Sequence, residues 1–329
     1  MGGSETYVRG LLPELGKDVT VFPNEHPGRS EVGRLVAMTY GMTVAPRLRA
    51  PVDVLHYPLT VPVPRFAGPT VVTLHDLQHL ELPPFFSLGE RAFRRFAYER
   101  AARRADVVVT PSEHARTVAA ERLGLDPARV VVAPHGVDHE RFTPSGPEEG
   151  PERFLIYPAN LWPHKNHRRL LEALAQASDR DIELVLTGSG YGRLEELYAH
   201  AERLGVRHRV QHLGFVEHDV LPALLRRARG MVFPSLFEGF GQPPLEAMAC
   251  GCAVASSTRD ALGEVCAGAV LGLDPDDVAS IAAAIDRLAG DDALVADLQA
   301  RGPERAREYT WKRSASLHLE AYERALSTV

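Results

Sequence analysis

The chain has 329 residues, 45% hydrophobic and 24% charged, a balance that excludes a disordered protein and gives length enough for two domains. Its net charge of −6 provides no basic field for nucleic acid, and no apolar run reaches the ~20 residues of a membrane-spanning helix. Three cysteines make no disulfide framework and the first residues lack the apolar core of a signal peptide, so a reducing cytoplasm is the expected compartment.

Short β-branched runs alternate with longer amphipathic stretches in the first part of the chain, which is the pattern of an α/β domain. Helical periodicity is found between these runs, at residues 90–104 and 114–123. The runs predicted as strands are residues 18–22, 52–57, 70–76, 106–110 and 129–136.

The predicted helix at residues 90–104 combines arginines with phenylalanines. A basic amphipathic helix of this kind can lie on an anionic membrane, which would make the protein peripheral on the inner face. A solvated face, with Glu90 and Glu99 as partners of the arginines, is the alternative that we favour.

Residues 143–152 hold three prolines and three acids and are predicted to be an exposed linker. After this linker the α/β pattern restarts, with strands predicted at "RFLIYP", "IELVLTG", "VQHLGF", "GMVFPS" and "CAVASS". A final amphipathic helix begins near Thr310. We expect two domains, each a parallel sheet flanked by helices, with the ligand site in the cleft between them.

The stretch "SLFEGFGQPPLEAMACG" places Glu238 and Glu246 on either side of a glycine loop and a helix start. Gly239 and Gly241 allow close approach to a ligand, and a helix N-terminus beside such a loop suits a diphosphate. Two carboxylates there are suited to sugar hydroxyls, because each can accept hydrogen bonds from a diol. The alternative is that Glu246 is a first-turn glutamate favoured by the helix dipole and Glu238 a solvated loop residue.

The same stretch closely resembles the nucleotide-sugar signature of retaining glycosyltransferases of the GT-B fold, family 4, in which seven residues separate two glutamates. The resemblance implies that Glu238 faces the transferred sugar, that Glu246 holds the nucleotide ribose, and that amides around Phe240 and Gly241 meet the diphosphate.

Other segments extend the resemblance over nearly the whole chain. "YPANLWPHKNHRRLLEAL" is similar to the family's diphosphate-binding loop, with Lys165, one of only three lysines, at the lysine position and Asn160 at the usual arginine position. An exposed helix-cap lysine is the alternative for Lys165. "LTGSGYGRLEEL" resembles the loop that lines the nucleotide pocket, with Gly188 as a contact, and "HLGFVEHDV" the segment whose backbone at Phe215 and Val216 meets the base.

In the first half, "GGSETYVRG" resembles the glycine loop that closes over the donor phosphate, with Gly2 and Gly3 as contacts. His75, at the end of "VVTLHD", would lie near the reacting sugar; a buried structural histidine is the alternative. "HDLQH" has a superficial likeness to a zinc-protease motif, but that motif needs both histidines on one helix face, so no metal site is predicted. His135 replaces the asparagine that the family has in "PHGVDHERF".

The resemblance implies two Rossmann-like domains facing across a cleft, with a C-terminal helix that packs back toward the N-terminal domain. The predicted domains are residues 1–146 on the acceptor side, 147–308 for the nucleotide sugar, and 309–329 for the crossing helix. In the family an apolar strand precedes the glycine loop, whereas Met1 here precedes Gly2 directly. We therefore expect the first sheet to lack its central strand, which would leave an empty slot between the strand at residues 18–22 and that at 70–76.

The predicted function is transfer of a hexose, with mannose from GDP-mannose as the first candidate, to an acceptor hydroxyl with retention of anomeric configuration. His75, Glu238 and Lys165 are the predicted catalytic residues. The resemblance implies no cofactor and no obligatory metal, with Lys165 and helix-terminus amides in the place of a cation. Expected partners are the nucleotide sugar and a glycan, lipid-linked or small-molecule acceptor, without nucleic acid. A GT-B-like epimerase or phosphorylase and a non-catalytic nucleotide-sugar-binding protein are the alternatives.

Overall fold

Two parallel β-sheets organise the chain in the computed structural model, which describes residues 3–17, 19–21, 38–48, 51–217 and 219–328. The chain divides into a first unit, residues 1–136 with 311–329, and a second unit, residues 137–310. It enters the second unit at Val137 and leaves it at Thr310, and these two residues form a parallel β-bridge. The domain boundaries after residues 146 and 308 stay a prediction.

In the described residues, the first sheet has four parallel strands in the same order as in the chain. Its strands are short and rich in valine; β3, for example, is Val-Val-Val-Thr with all four residues buried. Such a continuous apolar run is typical of a parallel strand that is covered on both faces. The strands are β1 (Leu55–Tyr57), β2 (Thr70–Thr73), β3 (Val107–Thr110) and β4 (Val130–Val132).

The helices of the first unit include one long helical segment, residues 88–104, whose middle turn is a π-helix. α3 and α4 are joined by a π-helical turn, Arg95–Glu99, so the helix predicted at residues 90–104 is present. It starts at a capping box, in which Glu90 N donates to Ser87 Oγ at 3.2 Å and Ser87 N to Glu90 Oε2 at 2.8 Å. The helices are α1 (Gly3–Leu11), α2 (Gln78–Glu81), α3 (Leu88–Arg94), α4 (Arg100–Arg104), α5 (Glu113–Leu123) and α13 (Trp311–Leu326), with 3₁₀ turns at Leu12–Leu15, Pro83–Phe85 and Pro127–Arg129, and residues 38–43 are helical as well.

Both faces of the first sheet are covered by helices. On one face, Tyr57, Val72 and Val108 pack against alanines of α4 and residues of α5. On the other, Val71, Val107, Val109 and Val131 pack against Ala321 and Ala325 of α13. The predicted return of the C-terminal helix to the N-terminal domain is confirmed.

The strand predicted at residues 18–22 is not found where it can be examined. Residues 19–21 have no regular secondary structure, and residues 18 and 22 lie outside the described part of the chain. Val19 instead packs against a cluster of Tyr7, Leu11 and Trp311, so its apolar side chain is used in a helix contact. In the described part, β2 lies between β1 and β3 and does not pair with this segment.

The second sheet, as far as the structure describes it, has six parallel strands in the order β10-β9-β8-β5-β6-β7. The chain runs outward from β5 through β6 to β7 and then outward again from β8 through β9 to β10. The order therefore reverses between β5 and β8, and the carboxyl ends of these two strands form a topological switch point. The strands are β5 (Phe154–Pro158), β6 (Glu183–Thr187), β7 (Val210–His212), β8 (Gly230–Phe233), β9 (Val254–Ser257) and β10 (Leu271–Leu273).

Seven helices accompany the second sheet in the described residues, with 3₁₀ turns at Pro163–Lys165 and Arg207–Arg209. Among the helices that the structure describes, none has the length and apolar character needed to cross a bilayer. The seven are α6 (His167–Gln176), α7 (Leu194–Arg203), α8 (Val220–Arg227), α9 (Gln242–Ala249), α10 (Asp260–Val265), α11 (Val278–Gly290) and α12 (Asp292–Ala306).

One large apolar core holds the second unit together, with β5 and β8 at its centre. Phe154, Ile156, Tyr157 and Phe233 are each fully buried there. The three cysteines of the chain, Cys250, Cys252 and Cys266, belong to this core as free thiols. Both domains are thus Rossmann-like α/β units with parallel sheets, as predicted.

Candidate active site

The two loops at the switch point of the second sheet bring Lys165 and Glu238 together. Lys165 follows β5 in the 3₁₀ turn Pro163–Lys165, and Glu238 follows β8 in the glycine loop. Lys165 Nζ lies 2.5 Å from Glu238 Oε1, with 14% and 12% of the two side chains exposed. The pair therefore lies at the edge where ligands bind in open α/β sheets, largely withdrawn from water. Lys165 is therefore not an exposed helix-cap lysine, and Glu238 is not a solvated loop residue.

Two hydrogen bonds fix the backbone of Lys165. Its carbonyl accepts a hydrogen bond of 2.7 Å from the hydroxyl of buried Tyr157, and its N–H donates to Trp162 O at 2.9 Å. Its ammonium lies 5.5 Å from the ring centroid of Phe233, the last residue of β8. A lysine held in this way presents its charge in a defined place, which is what recognition of an anion requires.

Asn166, directly after Lys165, holds the turn in a left-handed conformation with φ of 62°. Its buried amide donates to Pro234 O at 3.1 Å and to Pro275 O at 2.7 Å, and its Oδ1 accepts from Arg169 at 3.2 Å. One side chain thus connects the loop after β5 to the loops after β8 and β10. Our sequence reasoning missed Asn166; asparagine next to the predicted lysine was the available signal, because asparagine tolerates positive φ.

The glycine loop needs its glycine at position 241. Gly241 has φ of 113° and caps the N-terminus of α9, and a Cβ atom there would lie 2.7 Å from Leu262 Cδ2. Phe240 next to it is buried, with its ring centroid 5.8 Å from that of Tyr309. The backbone at Phe240 and Gly241 therefore approaches the first turn of a helix, as the predicted diphosphate site requires.

Glu246 lies inside α9, beyond its first turn, and is 8% exposed. Burial raises the pKa of its carboxyl to about 7, while the amide of Gln242 and the guanidinium of Arg141 oppose that rise. Gln242 Nε2 donates to Glu246 Oε1 at 3.3 Å. A first-turn glutamate stabilised by the helix dipole does not describe this position. A buried carboxyl with unused acceptor capacity does suit a ligand diol.

The loops after β5, β6 and β7 are joined at Gly188. Its φ is 111°, and a Cβ atom there would lie 2.8–2.9 Å from backbone atoms of Ala159 and Asn160. Its N–H donates to Gly214 O at 2.7 Å, and Asn160 Oδ1 accepts from Ser189 N at 2.7 Å. Asn160 therefore closes a loop contact and supplies no positive charge. Phe215 is 65% exposed beside these loops, whereas Val216 is half-buried against the core.

The remaining predicted residues belong to the first unit. His75 is half-buried, and its Nε2 donates to Pro58 O at 2.7 Å. Its ring meets that of Tyr7 edge-on at 4.9 Å, and burial lowers its pKa. Gly3 begins α1, and Gly2 lies outside the described residues. The roles of the predicted site residues toward substrate stay predictions.

Metal ligands do not gather in the parts of the chain that the structure describes: no three His, Cys, Asp or Glu side chains come close enough to hold an ion.

The second residue that our sequence reasoning missed is Arg141. It is 15% exposed, lies over the ring of Phe142 at 4.7 Å, and its charge acts on Glu246. No spacing in the sequence connects positions 141 and 246.

Comparison with known proteins gives matches to two family models that together cover most of the chain. The model for glycosyl transferases group 1 matches residues 138–308, and that for Glycosyltransferase Family 4 matches residues 1–141. Among curated relatives, the O-antigen chain mannosyltransferase B of Escherichia coli is 28% identical over 77% of this chain and 69% of its own length. The serotype-specific mannosyltransferase WbdA of Escherichia coli is 29% identical over 83% of this chain, which spans 35% of that larger protein.

Solved structures show the same fold. WaaG, a glycosyltransferase involved in lipopolysaccharide biosynthesis, superposes with a TM-score of 0.71 over 98% of this chain and 96% of its own, at 16% identity. Anabaena HepE, solved with UDP and glucose, gives a TM-score of 0.66 over 80% of this chain and 72% of its own, at 23% identity. With both family models matched and both sheets of the fold present, the chain belongs to the glycosyl transferases group 1, as a family 4 glycosyltransferase of the GT-B fold.

Proposed function

We propose that the chain transfers mannose from GDP-mannose to an acceptor hydroxyl, with retention at the anomeric carbon and without a metal ion. The mannosyl donor is supported by the names of the two curated relatives, both mannosyltransferases. A glycan or lipid-linked acceptor is supported by the O-antigen chain relative. The observation that carries the proposal is the Lys165–Glu238 pair at the switch point, where one cation and one carboxylate are withdrawn from water.

In this proposal the two partners separate when the donor binds. Lys165 turns from Glu238 to the diphosphate, where its charge stabilises the leaving group as the sugar–oxygen bond breaks. Glu238, released from the lysine, accepts hydrogen bonds from hydroxyls of the transferred sugar. Glu246 accepts the ribose diol, and the backbone at Phe240 and Gly241 meets the diphosphate.

The bond changes balance without a second catalytic carboxylate. The bond between the anomeric carbon and the diphosphate oxygen breaks, the bond to the acceptor oxygen forms on the same face, and the acceptor proton passes to the departing diphosphate. A glycosidase, by contrast, needs a pair of carboxyl groups on opposite sides of the scissile bond.

A screen of nucleotide sugars tests the donor. GDP-mannose should raise the melting temperature more than UDP-glucose or UDP does, because a ligand that binds only the folded state stabilises it. Product analysis by NMR should then give an α-linked mannoside only when acceptor is present. Conversion of the donor sugar in the absence of acceptor would identify an epimerase. Donor binding without turnover, whichever acceptor is supplied, would identify a binding protein.

His75 has its own test within this proposal. With Nε2 donating to Pro58, Nδ1 of the neutral ring is the nitrogen left to accept a substrate hydrogen bond. His75→Ala should lower kcat far more than it lowers donor affinity if the contact is made as charge develops. Unchanged kcat would make His75 a structural residue.

A further inference from the structure

A cavity of about 250 Å³ lies in the first unit, on the sheet face that carries Tyr57 and Val72, beneath the helical segment that includes Phe96 and Arg100. Thr70 opens β2 and Asp106 directly precedes β3, so the cavity extends to the amino ends of these strands. Substrates of doubly wound sheets bind at the carboxyl ends. Its volume is below the usual range for ligand pockets, ~300–1,000 Å³, and is too small for a nucleotide sugar.

Among the residues that the structure describes, four arginines and one aspartate line this cavity. Arg47, Arg100 and Arg104 are exposed at its rim, and Arg65 is half-buried. The carboxylate of Asp106 is held at the amino end of the sheet, where its Oδ2 accepts hydrogen bonds from Thr70 N at 2.7 Å and Thr70 Oγ1 at 3.1 Å. The cavity therefore has a surplus of positive charge in a chain whose net charge is −6.

In the part of the chain that the structure describes, the Arg65 side chain donates hydrogen bonds through Nη1 alone. Its Nη1 donates to Thr43 O at 2.9 Å and to Ala45 O at 3.2 Å. A guanidinium has five N–H groups in a rigid fork, and both of these hydrogen bonds use the same nitrogen. The planar fork matches phosphate oxygens in pairs, and it keeps its charge at every physiological pH.

The other lining residues that the structure describes are uncharged, and most are apolar. Phe66, Phe96 and Met42 contribute carbon surface, and the hydroxyl of Tyr57 donates to Pro64 O at 2.7 Å. Burial raises the pKa of Tyr57 to about 12, so the phenol adds no negative charge. The site thus offers arginines for an anion and a small apolar wall for the group that carries it.

We propose that this cavity binds the phosphate group of a small organic phosphate ester. The ester is either a free metabolite-sized molecule or the headgroup of an anionic phospholipid, since both offer the same phosphate. The proposed site is separate from the predicted donor and catalytic residues, because none of them lines this cavity.

The test compares two double variants of the full-length chain. Arg100→Gln/Arg104→Gln removes two charges from the cavity, and Arg91→Gln/Arg95→Gln removes two from the same helix at residues that do not line it. Isothermal titration with sn-glycerol 3-phosphate and with inorganic phosphate measures the free ester. Flotation with phosphatidylglycerol vesicles, against phosphatidylcholine vesicles, measures the headgroup. Circular dichroism confirms that both variants fold.

The first double variant should weaken binding about tenfold or more, because each lost charge-assisted contact accounts for roughly one order of magnitude. The second should change it less than about twofold. Loss confined to the titration identifies a free ester, and loss confined to vesicles identifies a headgroup. Equal binding by both variants in both assays, or an equal loss in both variants, overturns the proposal. An equal loss would reflect only the overall charge of the helix.

Discussion

At the scale of single residues, Glu246 should make donor binding depend on pH near neutrality. Its pKa is raised to about 7, so it is ionised above that pH and protonated below it. Only the carboxylate form offers all its lone pairs to a ribose diol. Donor affinity should therefore fall as the pH falls from 8 to 6.

Calorimetric titration of the nucleotide sugar across this range provides the measurement. Glu246→Gln should bind more weakly at pH 8, by about 1.5–3 kcal/mol for a lost charged hydrogen bond, and should show a flat pH profile. A wild-type profile as flat as that of the variant would remove Glu246 from the ribose site.

Asn166 should act through Lys165. Asn166→Gly keeps the left-handed turn at no steric cost but removes the hydrogen bonds to Pro234 O and Pro275 O. Asn166→Ala removes the same bonds and adds the cost of positive φ for a residue with a Cβ atom. Both variants should lose donor affinity and stability, about 1–3 kcal/mol for the unpaired carbonyls, and alanine should lose more.

Thermal unfolding and donor titration of the two variants separate these effects. If both variants lose stability but keep wild-type donor affinity, the lysine does not need this turn.

At the scale of elements, a directional chain of hydrogen bonds holds α13 to β1, β2 and α1. His318 Nδ1 donates to Ser314 O at 2.7 Å, so its Nε2 accepts from Tyr7 O–H at 2.7 Å. Thr73 then donates to Tyr7 at 2.9 Å, and His56 Nε2 donates to Thr73 at 2.7 Å. His56 Nδ1 finally accepts from Tyr322 O–H at 2.9 Å. These donor and acceptor roles hold when both rings are neutral.

The two buried histidines, His318 and His56, should make the stability of the first unit sensitive to acid. Burial lowers the pKa of His318 to about 4 and that of His56 well below 6.5, whereas both rings titrate near 6.5 when unfolded. The unfolded state therefore binds more protons between these values, and stability is fully present above pH 6.5 and lost as the pH falls toward 4. The expected loss is about 1.4 kcal/mol per pH unit for each histidine.

Trp311 is the natural probe, since it lies in the first unit beside His135 and Tyr7. In a Trp162→Phe background, its fluorescence should report a urea midpoint that falls from pH 7 to pH 5. His318→Gln should have a shallower pH dependence; a slope equal to that of the parent would exclude this histidine as the cause.

At the scale of the whole molecule, the proposal that no metal takes part predicts that activity survives a chelator. Lys165 and the start of α9 would supply the positive charge that a divalent ion supplies elsewhere. Transfer measured after dialysis against EDTA should match the untreated rate within about twofold. Loss of activity that Mg²⁺ or Mn²⁺ restores would contradict the metal-independent mechanism.

The second unit could be predicted from sequence to a large extent because its signals are local. Buried runs such as "FLIYP" mark the strands, and residues at the carboxyl ends of adjacent parallel strands must converge. That rule brings together the loops that carry Lys165 and Glu238, whereas the choice of these two residues came from the resemblance to family 4 glycosyltransferases. The contact of Asn166 with Pro275 and the effect of Arg141 on Glu246 arise from tertiary packing across about a hundred residues, which no spacing encodes. Polar and apolar residues alternate over positions 18–22 as in a strand, but Val19 packs against helices and residues 19–21 form no strand, so tertiary packing overrode the local pattern in these three residues.

The buried cysteines allow the two units to be followed separately in one sample. All three thiols lie in the core of the second unit, and burial raises the pKa of each. A thiol reagent needs access and a thiolate, so labelling in native buffer should wait for the second unit to open. In the Trp162→Phe background, fluorescence of Trp311 follows the first unit during the same experiment. Equal rates from both signals would mean that the units open in one cooperative step, and unequal rates that each has its own barrier.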